Sequence, residues 1–263
     1  LIHVNAAQIA WREIVAVPMV LISAPPGIDA RHLARQVMRW SWKGVMTMAP
    51  GQAGVLSSSG ATTAAMLNAA VSDAPRVVLP EPRKQGGRPL LDALGARHST
   101  REYADRPLPI QILSDLLWAA FGVNRPSGEQ TVPFWRHVMV LDVYVAMADG
   151  VWLYDPAAHA LSRYSRADIR AATGSQDFVA TAALNLVYVA HGERMADLTE
   201  EQRRLYASVD TGFIGQNVYL FCASEGLATV FRGAIDYQRL DQTLRLPPGQ
   251  FVTFAQTVGY PRA

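Results

Sequence analysis

Lysine is almost missing from this chain: Lys43 and Lys84 are the only ones, so arginine supplies the rest of its 24 basic residues. Cysteine is rarer still. Cys222 stands alone, which excludes an intramolecular disulfide and a cysteine-built zinc site, and its apolar surroundings predict a buried, inert thiol. Charge is sparse at 17% of residues, and a net charge of +2 with a pI of 8.8 is too mild for the clustered basic face of a nucleic-acid binder, so no nucleic-acid partner is expected. The apolar run from Val17 to Ile22 is far too short to span a bilayer, and no stable membrane insertion is expected. The usual signatures of self-sufficient catalysis are also missing. There is no Gly-x-Ser-x-Gly elbow, no Gly-rich lysine loop for phosphoryl transfer, and no Gly-x-Gly-x-x-Gly turn. His3, His32, His98, His137, His159 and His191 never fall at metal-ligand spacing, so no metal site is expected. Without an evident acid, base or nucleophile, no side chain is assigned a catalytic role, and the difficult chemistry is left to a cofactor.

What is present is enough for one substantial core: 263 residues, half of them hydrophobic, suit one catalytic domain with an appendage. Residues 1–80 read as a poorly ordered leader, with a short helix expected from Asp29 to Trp40 and a small-residue run at Ala70-Val71-Ser72-Asp73-Ala74. The leader fits a targeting signal or an over-extended start, so the compartment stays open between cytoplasm and, if it is a signal, periplasm. Residues 81–263 form the expected domain. Within it, helices are predicted over Leu90–Ala96, Leu108–Gly122, Thr199–Cys222 with Gly226 closing it, and Asp236–Leu244. Strands are predicted over Val138–Ala146, Val151–Tyr154 after an Asp149-Gly150 turn, Leu184–Ala190 as a buried central strand, and Phe251–Val258. Irregular interleaving of the two predicts an α+β fold.

The densest chemical signal is Arg97-His98-Ser99-Thr100-Arg101, followed by Tyr103. Two guanidiniums flanking a serine hydroxyl just after a short helix make a donor cluster suited to a phosphate dianion, because the arginine fork gives parallel charge-assisted hydrogen bonds. The same arginines would equally serve as a solvated face paired with Glu102 and Asp105.

Read from Pro82 to Pro261, the chain resembles the nitroreductase superfamily, and more narrowly its SagB-type dehydrogenase-like branch. The matching strings occur in order: Arg97 to Tyr103, Leu116-Leu117-Trp118-Ala119-Ala120-Phe121-Gly122, Asn124-Arg125-Pro126, Asp210-Thr211-Gly212-Phe213, Gln216-Asn217, Glu225-Gly226-Leu227-Ala228-Thr229, Arg232-Gly233, and Val258-Gly259-Tyr260-Pro261. The resemblance implies a central, mostly antiparallel sheet flanked by helices, with a long central dimerisation helix that packs against a second copy through residues such as Phe213 and Leu220. It also implies FMN bound between the two subunits of a homodimer.

By the same resemblance, the cofactor-binding residues are Arg97, His98, Ser99, Arg101, Pro133, Arg232, Gly233 and Arg262. Arg97 and Ser99 would hold the phosphate, Arg101 would lean toward the ribityl chain and pyrimidine, and the Gly233 N–H would face flavin N5. The family's Pro-Ser-Ala-x-Asn-like loop, which reaches the flavin from the partner, is read here as Thr131 to His137, with Pro133 kept and the serine and asparagine lost. Phe134 or Trp135 would then stack over the ring and Arg136 would supply a charge. The implied activity is a ping-pong transfer of hydride from NAD(P)H through FMN to a small-molecule acceptor such as a nitroaromatic or quinone. The alternatives are a non-enzymatic flavin-binding or flavin-handling protein and a flavin-free scaffold on the same fold.

Overall fold

The computed structural model describes residues 75–262. Seven strands form one sheet in the order β1-β4-β3-β2-β5-β7-β6, with every neighbouring pair antiparallel. They are β1 (Arg76–Val78), β2 (Leu141–Met147), β3 (Gly150–Asp155), β4 (Ala160–Ser165), β5 (Leu184–His191), β6 (Ala228–Arg232) and β7 (Gln250–Gly259). Four helices accompany them among the described residues: α1 (Leu90–Ala96), α2 (Ile110–Phe121), α3 (Glu200–Glu225) and α4 (Tyr237–Leu244). The α+β class and the antiparallel sheet flanked by helices are as expected.

The alternation of β5 explains both layers. Leu186, Tyr188 and Ala190 face a core shared with Leu116, Leu117 and Phe121 of α2 and Ile214, Val218 and Cys222 of α3. Val187 and Val189 face a second core closed by Leu240 and Leu244 of α4. Buried on both sides, β5 reads as a continuous apolar run, and each fully buried aliphatic side chain contributes about 1.5–3 kcal/mol. Cys222 is buried as predicted, and burial pushes its thiol far above the usual range.

Helix α3 carries its own start and stop. The Thr199 side chain accepts from the Gln202 N–H while the Gln202 side chain accepts from the Thr199 N–H, and Gly226 ends the helix at φ 69°, a left-handed conformation that suits glycine. Midway, a Cβ on Gly215 would lie 2.6 Å from the Phe231 ring, so glycine is what allows α3 to lie close to β6. Gly122 ends α2 differently from a left-handed cap: its φ is −76°, and a Cβ there would clash with Trp118.

Three strands went unpredicted, β1, β4 and β6, and all are short and lie toward the margins of the sheet. β1 pairs with β4 and Leu79 is buried, so the sheet begins inside the segment expected to be leader. The expected helix over residues 29–40 lies outside the described residues. The β2–β3 hairpin turns on Ala148 and Asp149, and Gly150, at φ 136°, is already the first residue of β3.

Candidate functional site

Beyond α1 the chain runs against the β6 and β7 end of the sheet. The Thr100 N–H donates to the Thr229 carbonyl at 2.9 Å, the Ala104 N–H to Tyr260 at 2.9 Å, and the Arg262 N–H to Glu102 at 3.2 Å. Tyr103 is the pin: it is buried, its ring lies 5.5 Å from Phe178, and its hydroxyl donates to the Thr100 carbonyl at 2.7 Å. Burial pushes its phenol well above the ordinary range. These contacts draw the 97–103 string, the C-terminal Arg262 and the β6 edge together.

Two groups of predicted residues form there. In the first, Ser99 Oγ lies 2.7 Å from Tyr219 Oη on α3, and the Arg97 guanidinium sits 5.3 Å from the centre of the Tyr219 ring. In the second, Arg101 and Arg262 line a cavity of ≈ 610 Å³ together with Tyr103, Gln176 and Phe178, a volume within the usual range for small-molecule sites. Arg97, Arg101 and Arg262 make no ion pair among the described residues, so the reading in which Glu102 and Asp105 neutralise the string does not hold. Gln176 Oε1 is buried without a hydrogen-bond partner. A buried acceptor without a partner costs about 1–3 kcal/mol. His98 turns away, its Nδ1 hydrogen-bonded to the Ala96 carbonyl at 2.8 Å.

Arg232 is a different case from the other arginines. Its side chain is 3% exposed, donating from Nε to Thr257 Oγ1 at 2.9 Å, from Nη1 to the Thr173 carbonyl at 2.9 Å and from Nη2 to Asn185 Oδ1 at 3.1 Å. No carboxylate accompanies it among the described residues; burial lowers its pKa to about 10, with the field of Tyr103 opposing, and it stays charged at neutral pH. This guanidinium is an internal strut joining β5, β6, β7 and Thr173, donating four hydrogen bonds inside the protein. The resemblance counts Arg232 among the cofactor-binding residues; its side chain instead lies inside the protein against Thr173, Asn185 and Thr257. Gly233 follows on the exposed side, where a Cβ would meet the Phe254 ring edge at 3.3 Å.

The 131–137 loop also differs from expectation. Phe134 packs edge-on against Phe121 of the core, Trp135 lies 5.9 Å from Tyr206, and Arg136 pairs with Asp197 at 2.8 Å. The Trp135 N–H donates to Asp210 Oδ2 at 3.0 Å; burial raises this carboxyl above its ordinary value against the opposing effect of that bond. Arg136 and His137 both hold positive φ, 47° and 59°, at a cost of about 1 kcal/mol or more each. Pro133 lines a second cavity of ≈ 600 Å³ with Ser127, Gly128, Phe134 and His137, and shares no residue with the Arg101 cavity. A Pro-Ser pair also occurs upstream as Pro126-Ser127, with Ser127 lining the same cavity as Pro133. Asn217 is occupied structurally, donating to the Ala119 and Thr131 carbonyls at 3.1 and 3.3 Å.

Sequence reasoning missed Tyr219 and Gln176. Tyr219 lay two residues after Gln216-Asn217, on the helix face that turned out to matter. Gln176 stood in a segment without periodicity, where nothing marked its neighbours. Among the described residues no group of histidine, cysteine or carboxylate side chains is placed to hold a metal, and no helix is long and apolar enough to cross a membrane.

The comparisons with known proteins agree with this architecture. The chain is 33% identical over 167 residues to a curated Methanocaldococcus jannaschii protein named as a nitroreductase, covering 60% of this chain and 84% of that one. A crystal structure of a Ralstonia eutropha JMP134 protein, also named as a nitroreductase, superposes with a TM-score of 0.68 at 41% identity, covering 72% of this chain and 90% of the other. The NADPH:FMN oxidoreductase of Vibrio harveyi, solved in complex with NAD+, shares the fold at 19% identity and a TM-score of 0.50, over 66% of this chain and 69% of the other. With the model of the Nitroreductase family matching residues 94–260, which take in the whole 97–103 string and the sheet edge it lies against, this chain belongs to the nitroreductase family.

Proposed function

We propose that the protein is an FMN-dependent oxidoreductase working as a homodimer. One observation carries the reading: three guanidiniums without ion pairs among the described residues lie along the 97–103 string and its neighbour Arg262, Arg97 against Tyr219 and Arg101 and Arg262 in the cavity that Gln176 also lines. That donor set fits the cofactor. A phosphate needs Arg97 and Ser99, a pyrimidine ring bears an N–H that Gln176 would accept once its side chain turns into the cavity, and the Phe178 and Tyr103 rings supply an apolar wall. When bound, FMN would supply two-electron chemistry, taking hydride from NADH or NADPH and passing it to a nitroaromatic, quinone or related acceptor in ping-pong fashion.

The residues of the chain orient and stabilise. Arg97 and Ser99 grip the phosphate, and Arg101 sets positive charge at the pyrimidine end, where negative charge develops on reduction. Arg262 closes the cavity from the C-terminal side. Gly233 presents its N–H at the β6 edge with no side chain in the way. Pro133 and Ser127, lining a cavity apart from these groups, are assigned to the flavin site of a second copy. Exposed Leu205, Tyr206, Val209 and Phe213 recur at helical spacing on α3 and support a two-fold interface there, whereas Leu220 is partly buried within the chain.

The test is a visible spectrum of the purified full-length protein before and after anaerobic addition of NADPH, followed by turnover with menadione or a nitrofuran. A flavin band that bleaches on reduction and recovers with acceptor over many cycles supports the reading. Flavin bound without turnover would leave a flavin-handling protein. Colourless protein that takes up no FMN would sink both.

A further inference from the structure

Tyr219 is absent from the family strings quoted above, yet its hydroxyl lies 2.7 Å from Ser99 Oγ and its ring 5.3 Å from the Arg97 guanidinium. We infer that Tyr219 is a positioning residue for the phosphate end of the flavin site, an inference that rests on the flavin reading. The geometry sets up a proton count. The Phe231 N–H of β6 donates to Tyr219 Oη at 2.9 Å, and Ser99 Oγ lies 2.7 Å from the same oxygen. Two hydroxyls joined by one hydrogen bond keep one proton free, whichever of them donates. The phenol is the more acidic partner, and receiving the Phe231 N–H strengthens it further as a donor, so Tyr219 donates to Ser99. The Ser99 proton is left to point outward from an exposed side chain, and neither hydroxyl has another acceptor among the described residues. Without Tyr219, the Ser99 hydroxyl would rotate freely and its proton would be shared with water.

The ring does a second task. Arg97, 5.3 Å from the ring centre, lies within cation–π range, so the aromatic face restrains a long side chain that has no carboxylate to hold it among the described residues. Tyr219 therefore prepares both phosphate ligands from α3, while its bond to Phe231 ties them to the strand that leads to Gly233. A partner ion would restrain Arg97 too, but it would compete with phosphate; an aromatic face does not.

The prediction is selective for the phosphate, so riboflavin, which lacks it, is the control. Full-length protein freed of flavin is titrated with FMN and with riboflavin by quenching of flavin fluorescence. Tyr219→Phe, which keeps the ring, is expected to weaken FMN binding about tenfold and riboflavin binding less than about twofold, the effect of a Ser99 donor no longer aimed at the charged phosphate. Ser99→Ala, an exposed change that leaves the fold intact, is expected to give a similar loss. The double variant should be little worse than either alone, because each disables the same Ser99 donor, one by deleting it and the other by releasing its orientation. Equal weakening of both flavins in Tyr219→Phe would mark a merely structural role and overturn the inference. So would an unchanged FMN-to-riboflavin ratio, or losses that simply multiply in the double variant. Wild-type protein that binds neither flavin would instead overturn the flavin assignment itself, and this inference with it.

Discussion

Arg232 and Arg97 look alike in sequence, each an arginine within a family string, yet they occupy opposite environments. Arg232 is a buried cation neutralised by no carboxylate among the described residues and held by oxygens of Thr173, Asn185 and Thr257. Arg97 is half-buried against an aromatic face. The difference teaches that a guanidinium engaged in four internal hydrogen bonds organises the interior, whereas one left without partners among the described residues is available for a ligand. His191 offers a third arrangement: a buried imidazole between Asp142 at 2.8 Å and Glu193 at 2.7 Å, with both ring nitrogens engaged.

Removing the interior guanidinium should break the comparison most forcefully. Arg232→Ala strands several buried acceptors and opens a cavity, and is expected to cost about 3 kcal/mol or more in urea unfolding. A variant as stable as wild type would show that the strut is dispensable. Next in size comes Gly174→Ala. A Cβ there would sit 2.0 Å from Arg232 Nη1, so the guanidinium must shift, at an expected cost of about 1–3 kcal/mol.

Arg97→Ala should do the reverse, leaving the unfolding midpoint within about 0.5 kcal/mol of wild type while flavin content falls sharply. Unchanged cofactor content would count against the phosphate assignment. For His191, burial disfavours the charged ring, but the hydrogen bond and field of Asp142 and the bond to Glu193 outweigh both burial and Arg194, so its pKa is raised in the folded protein. A raised folded pKa means the contribution is fully present below the unfolded value of about 6.5 and is lost as pH rises through the folded value. Thermal unfolding should therefore show stability declining with pH across that window, and His191→Gln should flatten the decline. Smallest in stability terms is Gln176→Leu, which removes an orphaned acceptor at nearly neutral cost. It is expected to weaken flavin binding all the same; equal affinity would remove Gln176 from the site.

The elements that were legible share a physical feature: their signals are local. Thr199, Gln202 and Gly226 mark α3 because a helix end must satisfy its own backbone groups with nearby residues, and the apolar run of β5 marks a strand buried on both faces. β1, β4 and β6 were not legible, since short marginal strands borrow their stability from partners distant in sequence. The loop from Pro126 to His137 was half legible. Its prolines and aromatics were noted, but the left-handed turn at Arg136 and His137 depends on Asp197 and Asp210, more than sixty residues away.

By itself the sequence determined the family, the fold class and the position of the arginine-serine string, because these reside in ordered local patterns. Only the tertiary structure decided which arginine is a strut and which are free, that Tyr219 stands behind Ser99, and that Gln176 lacks a partner. Those distinctions turn on burial and on hydrogen bonds between distant segments, and neither exists until the sheet has closed.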